Sequence, residues 1–179
     1  MGVTTNLDTL RAQPLTLIGP ATQTLADGGS ISVWRRAMEV AIRRSQTASF
    51  IAGIAERLGV PVSAIKKPSR AERKELDKRI ANQVKYLDKF AADLKAGNMT
   101  MAQAQARADL YAGAVRGGYY EARYPSLNQV PGDGQTVCLG NCKCTLDERD
   151  KGIYWVVNAG ESCADCQAMA AGSPYAKED

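Results

Sequence analysis

The spacing of apolar residues in the first two thirds of the chain predicts long amphipathic helices. The first is expected to start after Ser30 and to run to about Leu58, because apolar side chains recur there every three or four residues. Gly59 can adopt the left-handed conformation that ends a helix, and Pro61 cannot continue one. The pattern therefore predicts one uninterrupted helix of this length.

Two further helices are expected over 70–96 and 101–123. Each begins at a capping box, in which two residues three apart exchange side-chain-to-backbone hydrogen bonds: Ser69 with Glu72, and Thr100 with Gln103. Three long helices joined by short connectors predict a mainly α fold, either a bundle or an extended helical hairpin. Tyr111, Tyr119, Tyr120 and Tyr124 are expected to pack this helical domain against the tail or to lie at an interface.

Residues 1–29 show neither a helical nor a strand period. Pro14, Pro20 and the pair Gly28-Gly29 interrupt this segment, which also carries a short apolar patch from Leu15 to Ile18. We expect an extended N-terminal arm that lies on another surface, with a flexible terminus as the alternative. The helical domain then spans 30–125.

The character of the chain changes after Pro125, and residues 126–179 are expected to form a small separate module. Pro131-Gly-Asp-Gly134 is typical of a tight turn. The segments 144–149 and 152–157 alternate as short strands do, and Asp150-Lys-Gly152 between them predicts a β-hairpin.

All five cysteines lie in this module, in two clusters: Cys138, Cys142 and Cys144, and, after 18 residues, Cys163 and Cys166. Thiolates paired on tight turns are typical of a structural zinc site with four tetrahedral ligands, so one Zn²⁺ per chain is expected. Since Cys142 and Cys144 would alternate along a strand, only one of them is expected to reach the ion. The module would then be a zinc-stapled, zinc-ribbon-like hairpin.

Other uses of these cysteines remain as alternatives. Disulfides would need an oxidising compartment and leave one thiol over, and an iron–sulfur cluster would also take four thiolates.

The chain contains no histidine, which removes the commonest general base. A zinc deaminase needs a glutamate two residues after its first ligand, and Gly140 occupies that position after Cys138. We therefore predict that the protein is not an enzyme.

The net charge of +4 is unevenly distributed. Residues 1–125 carry 19 Lys and Arg against 11 Asp and Glu, whereas residues 126–179 carry 4 against 8. Four arginines on the first long helix share one face and form a basic stripe: Arg35, Arg36, Arg43 and Arg44. This stripe could contact phosphate or an acidic partner, or be an ordinary solvated face. A zinc-containing DNA-binding protein is therefore the alternative function.

The C-terminal motifs resemble a known family. The string Pro131-Gly-Asp-Gly-Gln-Thr-Val-Cys-Leu-Gly-Asn-Cys-Lys-Cys144, then Trp155, then Glu161-Ser-Cys-Ala-Asp-Cys166, is similar to the C-terminal end of tailed-phage head-morphogenesis, or minor head, proteins. The segment Ala114-Val-Arg-Gly-Gly-Tyr-Tyr120 adds to the likeness, which covers roughly residues 100–175. Family members commonly carry histidine where this chain has Ser162, so only sulfur ligands are expected here.

The resemblance implies a structural virion protein without catalytic activity. Its expected partners are the portal or the major capsid protein, in a symmetric assembly of many copies, with at most weak contact to DNA. The expected location is the virion head, and the host cytoplasm during assembly. The chain has no run of 18 apolar residues, so no membrane span is expected. It shows no signal-peptide pattern, so secretion is not expected either.

Overall fold

Seven α-helices and one β-hairpin account for most of the residues that the structure, a computed structural model, describes: 6–136, 142–160 and 162–177. In chain order they are α1 (Leu7–Ala26), α2 (Ile31–Arg57), α3 (Arg70–Val84), α4 (Leu87–Lys95), α5 (Met101–Gly113), α6 (Val115–Arg123), β1 (Thr145–Arg149), β2 (Gly152–Val156) and α7 (Ala164–Ala171). The mainly helical class and the hairpin are confirmed. Within these residues, no helix is long and apolar enough to cross a membrane.

The prediction of an extended arm over residues 1–29 is wrong, because α1 occupies most of this segment. Asn6 caps this helix through its side-chain oxygen, which accepts from the backbone N–H groups of Asp8 and Thr9. The buried residues Pro14, Ile18, Thr22 and Leu25 recur at helical spacing, and this face packs on α2 and α5. Two prolines inside the helix remove backbone donors, so tertiary packing rather than local preference stabilises it.

Of the three long helices expected, only α2 is present as predicted. The helix expected over 70–96 breaks after Val84 into α3 and α4, although neither glycine nor proline marks the break. The helix expected over 101–123 breaks at Ala114 into α5 and α6. Both capping boxes are confirmed by their reciprocal hydrogen bonds, at Ser69 and at Thr100.

The helical core is centred on aromatic residues of α2, α4 and α5. Trp34 meets Phe90 edge to face with ring centroids 5.3 Å apart, and Phe90 stacks on Tyr111 at 6.1 Å. Met38 and Leu87 are fully buried beside them. This core holds α1, α2, α4 and α5 together, and it is separate from the one that forms around the cysteines.

Helices α2 and α6 cross at very short range because glycines line the contact. A Cβ atom placed on Gly53 would lie 2.2 Å from the backbone oxygen of Tyr119. One placed on Gly118 would lie 2.7 Å from the side-chain oxygen of Gln46. Real Cβ atoms do not approach backbone atoms so closely, so Gly53 is required for steric reasons, whereas a side chain at Gly118 would have to displace the amide of Gln46.

Arg79 of α3 joins four parts of the fold. Its guanidinium donates to Gln46 Oε1 of α2 (2.9 Å), Glu121 Oε1 of α6 (2.5 Å), and the backbone oxygens of Ala114 (2.8 Å) and Gly132 (3.0 Å). The side chain is 9% exposed, and burial raises the pKa of Glu121 while Arg79 opposes that rise. A buried cation with this many acceptors fixes the relative positions of α2, α3, α6 and the turn at Gly132.

We expect Arg79→Ala to lower the free energy of unfolding by about 3–5 kcal/mol, because it leaves Glu121 and two carbonyl groups without their partner. Denaturant titration monitored by helical circular dichroism would measure the change. Lys78→Ala, at the neighbouring exposed position, is the control and should alter stability by no more than about 0.5 kcal/mol. Equal stabilities of the two variants would contradict the role given to Arg79.

Candidate metal centre

The cysteines are positioned by the β-hairpin and by α7. Cys142 and Cys144 lie directly before β1, and Cys166 lies in the first turn of α7. The strands pair antiparallel, with Leu146 opposite Trp155 and Arg149 opposite Gly152, which leaves a two-residue turn. The predicted hairpin is confirmed, and its alternating pattern directs Leu146, Ile153 and Trp155 inward.

The end of the described chain holds α7 against the hairpin. Tyr175 pairs with Ile153 of β2 through two backbone hydrogen bonds of 2.8 and 2.9 Å. The Tyr175 hydroxyl also donates to the backbone oxygen of Met169 in α7, at 2.6 Å. These contacts connect the helix that carries Cys166 to the strand opposite β1.

Three sulfur atoms meet in the interior of the tail, those of Cys142, Cys144 and Cys166. All three lie within 4.8 Å of one another, and each residue is buried. The sulfurs of Cys142 and Cys166 are 3.6 Å apart, far longer than the roughly 2.05 Å of a disulfide bond. Two thiolates on one tetrahedral zinc would stand about 3.8 Å apart, given bonds of about 2.3 Å. This three-sulfur group could therefore hold a metal ion.

The structure differs from the expectation that only one of Cys142 and Cys144 would reach the ion. That expectation assumed a strand through both residues, but β1 begins at Thr145, and the irregular backbone before it turns both sulfurs to the same side. Cys163 is half-buried at the N-cap of α7 and does not belong to the three-sulfur group. Cys138 lies outside the described residues.

A cluster of aromatic and aliphatic side chains surrounds the sulfur group and joins it to α6. This tail cluster contains Ala52, Tyr119, Tyr120, Tyr124, Val130, Cys142, Cys144, Leu146, Ile153, Trp155 and Cys166. Tyr120 meets Tyr119 edge to face and stacks on Tyr124, with centroids 5.2 and 6.4 Å apart. Burial raises the pKa of Tyr124 to about 12, so its hydroxyl stays neutral at physiological pH. Three of the four tyrosines thus pack the helical domain onto the tail, whereas Tyr111 lies in the helical core.

A charged network next to this cluster was not predicted from the sequence. Glu56 of α2 accepts hydrogen bonds from the Tyr119 hydroxyl and from Arg123 of α6, and Arg123 also lies 3.6 Å from Glu148 of β1. Burial, and then the hydrogen bond to Glu56, raise the pKa of Tyr119. Tyr119 and Arg123 are four apart on one helix, which is a local signal. Their partner Glu56 is 63 residues away from Tyr119, and nothing local indicates it.

We expect Cys166→Ser to lower the metal content of the purified protein well below that of the parent chain, because it removes one of three convergent sulfur ligands. Elemental analysis after gel filtration would measure it. Lys151→Ala, in the exposed hairpin turn, is the matched control and should retain the parent content. Unchanged metal in Cys166→Ser would exclude the three-sulfur group as the binding site.

Comparison with protein-family models, with curated proteins and with solved structures finds no match for this chain. The resemblance of the C-terminal motifs to phage minor head proteins therefore stays a prediction, and the three-sulfur group is the strongest candidate for a functional site.

Proposed function

We propose that this protein is a non-enzymatic structural component of a tailed-phage head, with a zinc-stapled tail fixed on a helical body. The observation that carries the proposal is the buried three-sulfur group, which lies within the motif that resembles minor head proteins. The proposed partners are the portal or the major capsid protein, contacted by several copies in a symmetric assembly. The proposed location is the virion head, after assembly in the host cytoplasm.

Zinc is the proposed metal because the donors are sulfur atoms and are buried. Thiolate ligands select zinc, copper(I) or iron–sulfur clusters, and a closed thiolate site is typical of structural zinc. Cys142, Cys144 and Cys166 supply three ligands, and either Cys163 or Cys138 supplies the fourth. Cys166 lies near the N-terminus of α7, where backbone N–H groups favour a negative charge on sulfur.

The size of the tail supports a staple of this kind. Two five-residue strands and one eight-residue helix bury too little apolar surface to be stable alone. Packing on α6 adds the tyrosines of the tail cluster, and a bound ion would connect the segment before β1 to α7. A metal in this position acts on stability, as in other small metal-dependent modules.

The exposed face of α2 supports a role in protein contacts. Val33 is 67% exposed and Val40 is 39% exposed, and both lie on the face that carries Arg36 and Arg43. Interfaces are enriched in arginine relative to the remaining surface, and their buried centres are apolar. The stripe also proves less basic than predicted, because Arg35 pairs with Glu39 and with Asp88 of α4. This mixed face suits a protein partner better than it suits phosphate.

The metal proposal predicts about one zinc ion per chain, and chelation should loosen the tail while sparing the helices. The two tryptophans report on the two cores separately, Trp34 on the helical core and Trp155 on the tail cluster. In Trp34→Phe, chelation should shift the remaining tryptophan emission to longer wavelength. In Trp155→Phe, it should leave the emission and most of the helical circular dichroism unchanged.

Thiol labelling separates this proposal from disulfides. Denatured without reductant, the protein should alkylate at all five cysteines. Fewer labelled cysteines, together with no metal, would contradict a thiolate site. If chelation unfolded both cores equally, the proposal that the metal stabilises only the tail would be contradicted.

The assembly proposal predicts that the protein co-sediments with phage heads or with portal protein from induced cells. Val33→Asp combined with Val40→Asp should reduce that association at least tenfold, because charge is placed in the exposed face of α2. Val62→Asp, at a 48% exposed position of the connector between α2 and α3, is the matched control. Absence of the unaltered protein from purified heads would contradict the assembly role and leave the metal proposal intact.

A further inference from the structure

We infer that the connector before α3 and the exposed side of that helix form a binding surface for the phosphate backbone of nucleic acid. Residues 66–85 carry eight Lys and Arg against three acidic residues. Five of these cations are exposed and close together in sequence, and we call them the basic ridge: Lys66, Lys67, Arg70, Arg73 and Lys74. The ridge is separate from the three-sulfur group and does not depend on zinc.

The charge of the ridge is not neutralised by ion pairs among the residues that the structure describes. Two acidic residues of the segment are paired: Glu72 with Arg57 of α2, and Glu75, at 3.9 Å, with Lys78, which is not one of the five ridge cations. Asp77 is the remaining acid on the exposed side. Among the described residues, none of the five ridge cations takes part in an ion pair. Like charges held this close repel one another, and an anionic partner would relieve that repulsion.

The ridge lacks the apolar residues that a protein interface would need. The exposed large apolar side chains of the described chain lie on α1, α2, the start of the connector, Tyr86 and Val156, and none falls within 63–85. Protein interfaces bury an apolar or aromatic centre, whereas phosphate contacts need only cations and donors. The ridge therefore fits a polyanion with a regular charge array, which nucleic acid provides.

The geometry suits a contact along a backbone. Arg70, Lys74 and Lys78 are four residues apart on α3, so they form a row with a rise of about 6 Å per step. Lys74 and Lys78 of this row also line a cleft of about 1240 Å³, together with Lys85 and with the acidic residues Glu72, Glu75, Glu121 and Asp133. Duplex DNA presents one phosphate per roughly 1.7 Å of its axis, so several of these cations can find partners at once.

Nucleic-acid contact is assigned to α3 and the connector before it rather than to α2. The stripe on α2 keeps three exposed arginines, but valines separate them and Arg35 is paired with acidic residues. The ridge has more cations, none of them paired within the described chain, and no exposed apolar neighbours. Binding to DNA and docking to protein are thereby assigned to different helices.

The test measures binding of a fluorescent 30-base-pair duplex by anisotropy at 50 and 200 mM salt. If five ridge cations contact phosphate, affinity should fall about 500-fold between these salt concentrations, since the logarithmic slope is close to −4.5. The variant Arg70→Ala/Arg73→Ala/Lys74→Ala should bind more weakly and lose only about 12-fold over the same range. Helical circular dichroism should show that the variant is folded.

The matched control is Arg36→Ala/Arg43→Ala/Arg44→Ala, which removes the same charge from exposed positions on α2. It should keep the slope of the parent protein. Equal loss in both variants, or a loss confined to the α2 variant, would overturn the assignment to the ridge. Absence of binding at 50 mM salt would overturn it as well. Displacement of the duplex by poly-glutamate at equal charge concentration would overturn nucleic acid as the partner in favour of an acidic protein.

Discussion

The arrangement of α2, α3, α6 and the turn at Gly132 depends on one buried cation. Arg79 donates to groups on α2 and α6, to the backbone at the junction of α5 and α6, and to the turn before the cysteine segment. The backbone of α6 must come very close for this, and a Cβ atom on Gly117 would lie 2.2 Å from the guanidinium. The glycines that weaken α6 as a helix are therefore the residues that let Arg79 fit. Body and tail meet at this point.

The interior is accordingly divided between two hydrophobic clusters, and polar networks connect them. The helical core around Trp34 and Phe90 stabilises the body, and the tail cluster around Trp155 covers the sulfur atoms. Helix α6 contributes to both, through Ala122 on one side and Tyr119 and Tyr120 on the other. The tail thus packs on the body through α6, and an ion held by its cysteines would stabilise an interface that α6 already forms.

Local chemistry explains which features could be predicted. Capping boxes, the glycine after α2 and the hairpin turn at Asp150 depend on residues within four positions of each other, and all three are confirmed. Helix α1 could not be predicted, because its two prolines oppose it and its packing partners lie far along the chain. The break at Ala114 is similar, since its carbonyl accepts a long hydrogen bond of 3.4 Å from the Gly118 N–H and a shorter one of 2.8 Å from Arg79, which lies 35 residues away. The sulfurs of Cys142 and Cys144 converge because β1 begins only at Thr145. The alternation of apolar residues did not indicate that boundary.

The backbone pairing of Tyr175 with Ile153 has a consequence for how the chain folds during synthesis. Among the residues that the structure describes, the helical core contains none beyond Ala122, so it can form while the tail is still being made. The hairpin and the first two sulfurs emerge next, but Cys166 and then Tyr175 are required before the tail can close. The tail therefore folds after the body, on a surface that is already formed, and its cysteines stay accessible to the surrounding pool of metal ions until Tyr175 has been made.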